Sequence, residues 1–293
     1  MSRAGGEGTV ECPSAASRFA SQLFTAVATV LIVGFLAAAL VRYSPGFGLQ
    51  GCEFDTSISA DTCEAMRRKY ESENSLARFY VRYLAGAIQG DFGESQALQR
   101  PVSELLRDRL PISAPLLLWG TTGGLALGAL LAWVAVWPRR KLLQVPAVAT
   151  SGLLLAIPPA VLALFLFFRA WPLWAGIALA LMPRVFGTLR TLLEDFYVSP
   201  SLLAARARGV SSARLAFRYV LGPAAPQLAA LAGVAVVIAF GLMIPIEALC
   251  DVPGIGQLTW IAAGKRDLPL LSAMALIIAT LVASVQWLGD LAR

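Results

Sequence analysis

A charge-free stretch in the second half of the chain decides its fold class. Residues 219–246 have the sequence YVLGPAAPQLAALAGVAVVIAFGLMIPI, which is 28 residues without a charged side chain between Arg218 and Glu247. A helix that crosses a bilayer needs roughly 20 such residues. Four more charge-free intervals exceed that length, at 19–41, 110–138, 142–168 and 268–289. The sequence therefore predicts an all-α integral membrane protein with at least five transmembrane helices.

The composition excludes several classes of protein. Of the 293 residues 57% are apolar and 14% charged, whereas a soluble domain has about 45–50% and about 25%. The absence of histidine excludes histidine-activated nucleophiles, histidine-bound metals and histidine proton relays. The four cysteines form no C-x-x-C pair, and no pair of aspartates lies within the predicted spans. We therefore expect no catalytic residue, no metal and no cofactor.

The basic residues decide a sixth span and its orientation. Residues 170–183 contain only 14 uncharged positions, two of them proline. When a span over about 173–189 is included, with Arg184 near its inner end, twelve lysine and arginine residues fall on the cytoplasmic side and three in the short outer segments. The positive-inside rule favours this arrangement. We predict six transmembrane helices with both termini in the cytoplasm, so the net charge of +6 relates to the membrane and not to nucleic acid.

These spans divide the chain into four parts. They are a cytoplasmic extension (1–18), a first transmembrane helix (19–41), an outer segment (42–110) and a five-helix core (111–293) with a cytoplasmic loop at about 191–226. The outer segment is too long for a passive connection, and it is either a cap over the spans or a docking surface. Cys52 and Cys63 lie in it, where an oxidising compartment permits a disulfide; two unrelated thiols are the alternative.

The cytoplasmic loop has the pattern of two helices separated by a glycine. Ser199-Pro200 can start a helix, alanine, leucine and arginine dominate the next residues, and Gly209 suits a left-handed helix end. Ser211 or Ser212 can cap a second helix, which Gly222-Pro223 and Pro226 end before the next span. The loop carries the basic residues Arg206, Arg208, Arg214 and Arg218. It is either an anchor on anionic lipid or a unit that docks on a partner.

Three blocks of residues resemble a known family. Ala205-Arg206-Ala207-Arg208-Gly209, with Leu221 and Pro223 after it, resembles the coupling-loop signature of ABC importer permeases, although Ser201-Leu202-Leu203-Ala204 departs from the usual residues before it. Two further blocks resemble dipeptide and oligopeptide permeases. They comprise Gly90-Asp91-Phe92-Gly93-Glu94-Ser95 with Pro101-Val102 and Arg109-Leu110-Pro111, and Glu247 with Pro253-Gly254-Ile255-Gly256 and Arg266-Asp267-Leu268-Pro269.

The resemblance implies the type I ABC importer permease fold in the inner membrane and a role for each block. A helix with Ser201, Ala204, Ala205, Arg206, Ala207, Arg208 and Gly209 would dock into a groove of an ATPase, and Ala205 or Ala207, whichever faces the groove, would exclude a large side chain. An outer hairpin or gate would contain Glu247, Pro253, Gly254, Gly256, Arg266 and Asp267. An outer-segment motif would contain Gly90, Asp91, Phe92, Gly93 and Ser95.

The resemblance also implies the function and the partners. The chain would be the first of two permease subunits, with a second permease, two ATPase subunits, an extracellular solute-binding protein and membrane lipid as partners. Peptides are the expected substrate; nickel chelates or other small solutes, and a membrane assembly role outside ABC transport, are alternatives. No G-x-x-x-x-G-K-[ST] loop occurs, so we expect no ATPase site. Pro158-Pro159, Pro183, Gly241 and Pro245 are candidate flex points or cavity-lining positions, or ordinary residues of membrane helices.

Overall fold

A computed structural model describes residues 15–43, 76–136, 141–211, 214–215, 218 and 222–291. Cys52, Cys63 and most of the predicted N-terminal extension lie outside the described residues. The helices are α1 (Ala15–Arg42), α2 (Leu76–Ile88), α3 (Val102–Val136), α4 (Lys141–Ala156), α5 (Pro159–Phe168), α6 (Trp174–Val198), α7 (Pro200–Ala207), α8 (Gly222–Leu249), α9 (Ile255–Gly264) and α10 (Leu268–Leu291). Strands β1 (Glu94–Ser95) and β2 (Arg100–Pro101) pair antiparallel, with Ser95 opposite Arg100.

The described helices include the predicted membrane spans. Five of them, α1, α3, α6, α8 and α10, are each long and apolar enough to cross a bilayer. Helices α4 and α5 meet that condition only together, and they are bent by 95° at the break between them. Pro158-Pro159 causes the break, because proline lacks the N–H that would continue the helix. With this pair counted as one bent span, the structure has the six spans that the sequence predicts.

The span that was hardest to predict is the one most enclosed by its neighbours. Helix α6 is buried along most of its first half and passes Pro183 without a break. It continues past the predicted end at residue 189 to Val198, so Arg184 lies deeper in the helix than the sequence suggested. Because other helices cover α6, its apolar residues do not have to form the long charge-free run that lipid contact demands.

Helices α3 and α6 pack closely through glycines at every fourth position. A Cβ atom added at Gly124 would lie 2.8 Å from the Leu181 Cδ2 atom, and one added at Gly128 would lie 2.6 Å from the Val185 Cγ1 atom. A Cβ atom added at Gly120 would lie 2.7 Å from the Ile177 Cβ atom. Small residues at this spacing let two membrane helices approach backbone to backbone. The sequence analysis did not single out these glycines, although their spacing is visible in it.

The two ends of the bundle differ. We call the hairpin face the end that carries α2, the β-hairpin and α9, and the coupling face the opposite end, which carries α7. The domain boundary expected after residue 110 falls inside α3, which runs unbroken from Val102 and contains Pro111 and Pro115. Gly222 and Pro226 belong to the start of α8 and do not precede it.

Candidate functional site

Helix α7 at the coupling face begins where the backbone leaves α6. Ser199 has an extended conformation (φ −62°, ψ 138°) and separates the two helices. Its carbonyl accepts the N–H groups of Leu202 and Leu203, each at 3.1 Å. Its hydroxyl donates to the Phe196 carbonyl at 2.7 Å. Pro200 then takes the first helical position, as the sequence predicts, where its missing N–H costs nothing.

The end of α7 is fixed by a glycine. Gly209 has φ +76°, which confirms the expected left-handed conformation. The Val210 N–H donates to the Ala205 carbonyl at 3.3 Å, the 6→1 bond of a Schellman motif. The Arg208 Nε–H donates back to the Ala204 carbonyl at 3.2 Å. Both ends of this short helix are therefore defined by their own backbone and side-chain contacts.

One side of α7 is buried and the other is open. Leu202 is 1% exposed and Ala205 fully buried, whereas Leu203 is 51% exposed. Ala204, Ala207 and Arg208 are exposed as well. Of the two alanines that the sequence left open, Ala207 therefore lies on the free side and Ala205 faces the bundle. Arg214 and Arg218 are also exposed nearby, while the side chains of Ser201 and Arg206 lie outside the described residues.

A second cluster lies at the hairpin face around Glu247, which is fully buried at the end of α8. One carboxylate oxygen accepts the Ser113 hydroxyl at 2.7 Å. The other accepts the N–H groups of Gly256 at 2.7 Å and Gln257 at 3.3 Å. The Ser113 oxygen accepts the Ile255 N–H at 2.7 Å. Glu247 and Ser113 thus cap the N-terminus of α9, whose dipole favours negative charge there.

The glycines of this cluster are needed for space. A Cβ atom at Gly254 would overlap the Glu247 carboxylate, and one at Gly256 would lie 2.8 Å from the Ile244 Cα atom. The two glycines of the Pro253-Gly254-Ile255-Gly256 block therefore allow the first turn of α9 to pack closely against α8. Pro253, which precedes it, is exposed.

Asp267 holds the β-hairpin to the start of α10. It is fully buried, and its Oδ2 atom accepts the Ser95 hydroxyl at 2.6 Å and the Ala97 N–H at 2.9 Å. Its Oδ1 atom accepts the Leu270 N–H at 3.2 Å, which caps α10. Arg266 next to it has φ +51° and is half-buried. Two blocks far apart in sequence therefore meet here.

The outer-segment motif forms the turn that leads into the hairpin. The Asp91 carboxylate accepts the Gly93 N–H at 2.9 Å, and Gly90 and Gly93 have φ +81° and +74°. The Gly93 carbonyl accepts the Val102 N–H at 2.9 Å. Phe92 packs against the main hydrophobic core. Gly90, Asp91 and Gly93 thus form the turn, Phe92 attaches it to the core, and Ser95 binds Asp267.

A chain of polar contacts links the first part of α3 to α9. Arg109 donates to the Gln257 side chain at 2.8 Å, and Gln257 donates to Asp251 at 2.7 Å. The sequence analysis singled out Arg109 but neither Gln257 nor Ser113. Nothing local marks those two, because their partners lie on other helices.

The polar residues of both clusters hold structural elements in position. Both buried carboxylates are occupied by hydroxyl and backbone N–H donors. Within the described ranges no group of three or more histidine, cysteine, aspartate or glutamate side chains could hold a metal ion. The arrangement fixes α9, α10 and the hairpin relative to α3 and α8, and it leaves α7 exposed at the opposite face.

Comparison with known proteins agrees with this architecture. Residues 124–292 match the family described as binding-protein-dependent transport system inner membrane component. The chain is 26% identical over 279 residues to the glutathione transport system permease protein GsiC of Salmonella paratyphi A, covering 87% of this chain and 89% of that protein. It is 25% identical, with the same coverage, to the protein of that name from Escherichia coli K12.

Proposed function

Because the chain belongs to the family of binding-protein-dependent transport system inner membrane components, we propose that α7 is the element through which an ATPase subunit acts on it. The chain is a permease subunit of an ABC importer of the peptide type and a multi-pass component of the inner membrane. The ATP that drives transport is hydrolysed on partner subunits. Beyond this, we propose which residues of α7 contact the ATPase, which substrate is carried, which partners assemble with the chain and how it is oriented in the membrane.

The observation that carries the proposal is that α7 is buried on one side and open on the other. Leu202 and Ala205 fix the helix against the bundle, while Leu203, Ala204, Ala207 and Arg208 remain open. A helix held on one side and capped at both ends transmits a push without deforming. A lipid anchor would not need the small side chains of Ala204 and Ala207 on its free side, whereas a close fit to a protein groove does.

The substrate we propose is a small peptide. Support comes from the glutathione permeases, which the chain matches over almost its whole length. Glutathione is itself a short peptide. Nickel chelates or other small solutes are the alternative, and competition by unlabelled peptides of two to five residues in uptake assays would distinguish them.

The partners we propose are a second permease chain, two ATPase subunits and a solute-binding protein. The coupling face then lies in the cytoplasm with both termini, and the hairpin face lies outside. The basic residues of the 184–218 segment support this orientation, because such residues accumulate on the cytoplasmic side.

The decisive experiment changes the free side of α7. Ala207→Trp should leave the chain in the membrane but reduce ATPase co-purification and binding-protein-stimulated ATP hydrolysis at least tenfold, since the added indole blocks close approach. Ala85→Trp is the matched control, because Ala85 is also an exposed alanine but lies on α2. It should change neither ATPase co-purification nor ATP hydrolysis. Normal coupling in Ala207→Trp, together with loss of membrane contact when Arg208, Arg214 and Arg218 are replaced by glutamine, would show a lipid anchor instead.

A further inference from the structure

We propose that α2, in the predicted outer segment (42–110), lies in the hairpin-face leaflet with its outward side against phospholipid. The inward side of α2 packs on two spans. Leu76 and Tyr80 form a cluster with Ala38 of α1 and Leu268 of α10. The Tyr83 hydroxyl donates to the Pro269 carbonyl at 3.2 Å. The helix therefore crosses α10 at its first turn and continues along α1.

The depth of α2 follows from Tyr80. Its hydroxyl donates to the Leu31 carbonyl in the backbone of α1 at 2.8 Å. The ring enters a notch at Gly34, where an added Cβ atom would lie 2.5 Å from the Tyr80 hydroxyl and 2.8 Å from the Leu276 side chain.

Two spans give the same level for this contact. Leu31 precedes Arg42 by 11 residues and Leu276 follows Leu268 by eight, which at about 1.5 Å per residue is about 16 Å and about 12 Å. The apolar span of α10 begins at Leu268, so this is close to the middle of a hydrocarbon layer of about 30 Å. A tyrosine side chain is only about half as long as the shorter of these two depths, which is about 12 Å. The backbone of α2 at Tyr80 must therefore lie below the level at which the apolar span begins.

The outward side of α2 has two different edges. Val81 is 67% exposed, Ile88 is 87% exposed, and Ala85 lies between them on the helix surface. Arg78 and Arg82 are exposed on the adjoining edge, one helical turn apart. An apolar edge beside a basic edge is the pattern of helices that lie in the membrane interface, with apolar groups towards the acyl chains and arginines towards the phosphates.

Lipid is the occupant that the surroundings support. Beside α2, the span α1 has an exposed apolar side of the kind that a membrane span presents to acyl chains. That side includes Val27, Ile32, Leu36 and Leu40. The arginines complement the phosphate charge, and α2 needs no further partner to bury its apolar edge.

Spin labels can test this in the full transporter reconstituted in liposomes. In a cysteine-free background, nitroxides at Val81 and Ile88 should collide severalfold more often with oxygen, which dissolves in lipid, than with a water-soluble nickel chelate. A label at Gln96, exposed on the β-hairpin, should show the opposite order. Nickel accessibility at Val81 and Ile88 equal to that at Gln96 would overturn the proposal, as would low collision with both reagents, which would indicate a protein partner.

A second measurement keeps the native cysteines. Val81→Trp should add fluorescence that brominated phospholipid quenches by at least half, whereas the fluorescence added by Gln96→Trp should lose far less. Equal quenching of the two variants would contradict the assignment even if the labelled proteins failed to assemble.

Discussion

At the scale of single residues, the hairpin face uses buried carboxylates as helix caps. Glu247 and Asp267 are both fully buried, and each accepts a serine hydroxyl together with backbone N–H groups at a helix start. A buried charge is tolerated only when such donors surround it. The serine partners lie far from the carboxylates in sequence, Ser113 on α3 and Ser95 on the β-hairpin. Each cap therefore also joins two distant segments of the chain.

We expect Glu247→Ala to lower the free energy of unfolding by about 2 kcal/mol, because the N–H groups of Gly256 and Gln257 and the Ser113 hydroxyl lose a buried acceptor. Thermal unfolding of the purified transporter measures the change. Glu194→Ala is the control: this half-exposed glutamate pairs with Arg190 at 2.8 Å, and such pairs contribute at most about 1 kcal/mol. Ser113→Ala combined with Glu247→Ala should cost less than the sum of the two single changes; strict additivity would contradict the shared cap.

We expect Gly209→Val to weaken coupling through the backbone alone. No atom lies within 4 Å of the added Cβ position, so the cost comes from φ +76° and amounts to about 1 kcal/mol or more. Gly209→Asn should retain more ATPase stimulation, since asparagine tolerates the left-handed region. Substrate-stimulated ATP hydrolysis by the assembled complex is the measurement. Equal activity of the two variants would show that the helix end does not depend on this conformation.

At the scale of elements, close packing of α3 on α6 sets the centre of the bundle. Gly120, Gly124 and Gly128 face Ile177, Leu181 and Val185 in successive turns. The small residues lie on one helix and the branched ones on the other, so the two surfaces are complementary. This pair therefore supports α6, which in turn leads directly into α7.

We expect Gly124→Leu to destabilise the transporter by about 1–3 kcal/mol, because the new side chain has no room against Leu181. Gly152→Leu on α4 is the matched control, since nothing lies within 4 Å of its Cβ position. Monodispersity and unfolding temperature after solubilisation compare the two. An unchanged Gly124→Leu protein would mean that α3 and α6 are not in contact at this level.

How far the sequence predicts these elements depends on the range of the contacts. Five spans follow from local apolar runs, the sixth from the distribution of basic residues, and the left-handed Gly209 from one residue type, and the structure agrees with them. The cap on Asp267 joins residues 172 positions apart, which no local pattern encodes. The orientation of Ala205 depends on how α7 packs on the bundle, and the membrane level of α2 depends on Tyr80 finding a notch in α1.

At the scale of the whole molecule, the spans alternate between two chemically different faces. At the hairpin face, Glu247 of α8 and Asp267 before α10 hold α9 and the β-hairpin in place. The coupling face carries α7 and the exposed arginines of the loop that follows it. Within the described residues, α7 at the coupling face has an open side on which a partner could dock, which agrees with a transport subunit driven from one side.

We expect cysteines at Ser211 and Gln96 to react from opposite sides of the membrane. Both positions are exposed, so accessibility within the protein does not limit the reaction. In intact cells, a membrane-impermeant maleimide should modify Gln96→Cys and leave Ser211→Cys unmodified until the cells are opened. Labelling of Ser211→Cys in intact cells would reverse the proposed orientation.

The long sequence distance between Ser95 and Asp267 also sets a waiting time during synthesis. The two residues are separated by 172 positions, and a ribosome adds about 5–20 residues per second, so the hairpin exists for roughly 9–34 s before its anchor has been made. During that interval the Ser95 hydroxyl and the Ala97 N–H have no carboxylate to bind. A nascent chain that stalls before α10 therefore lacks the contacts that tie Ser95 and Ala97 to the bundle.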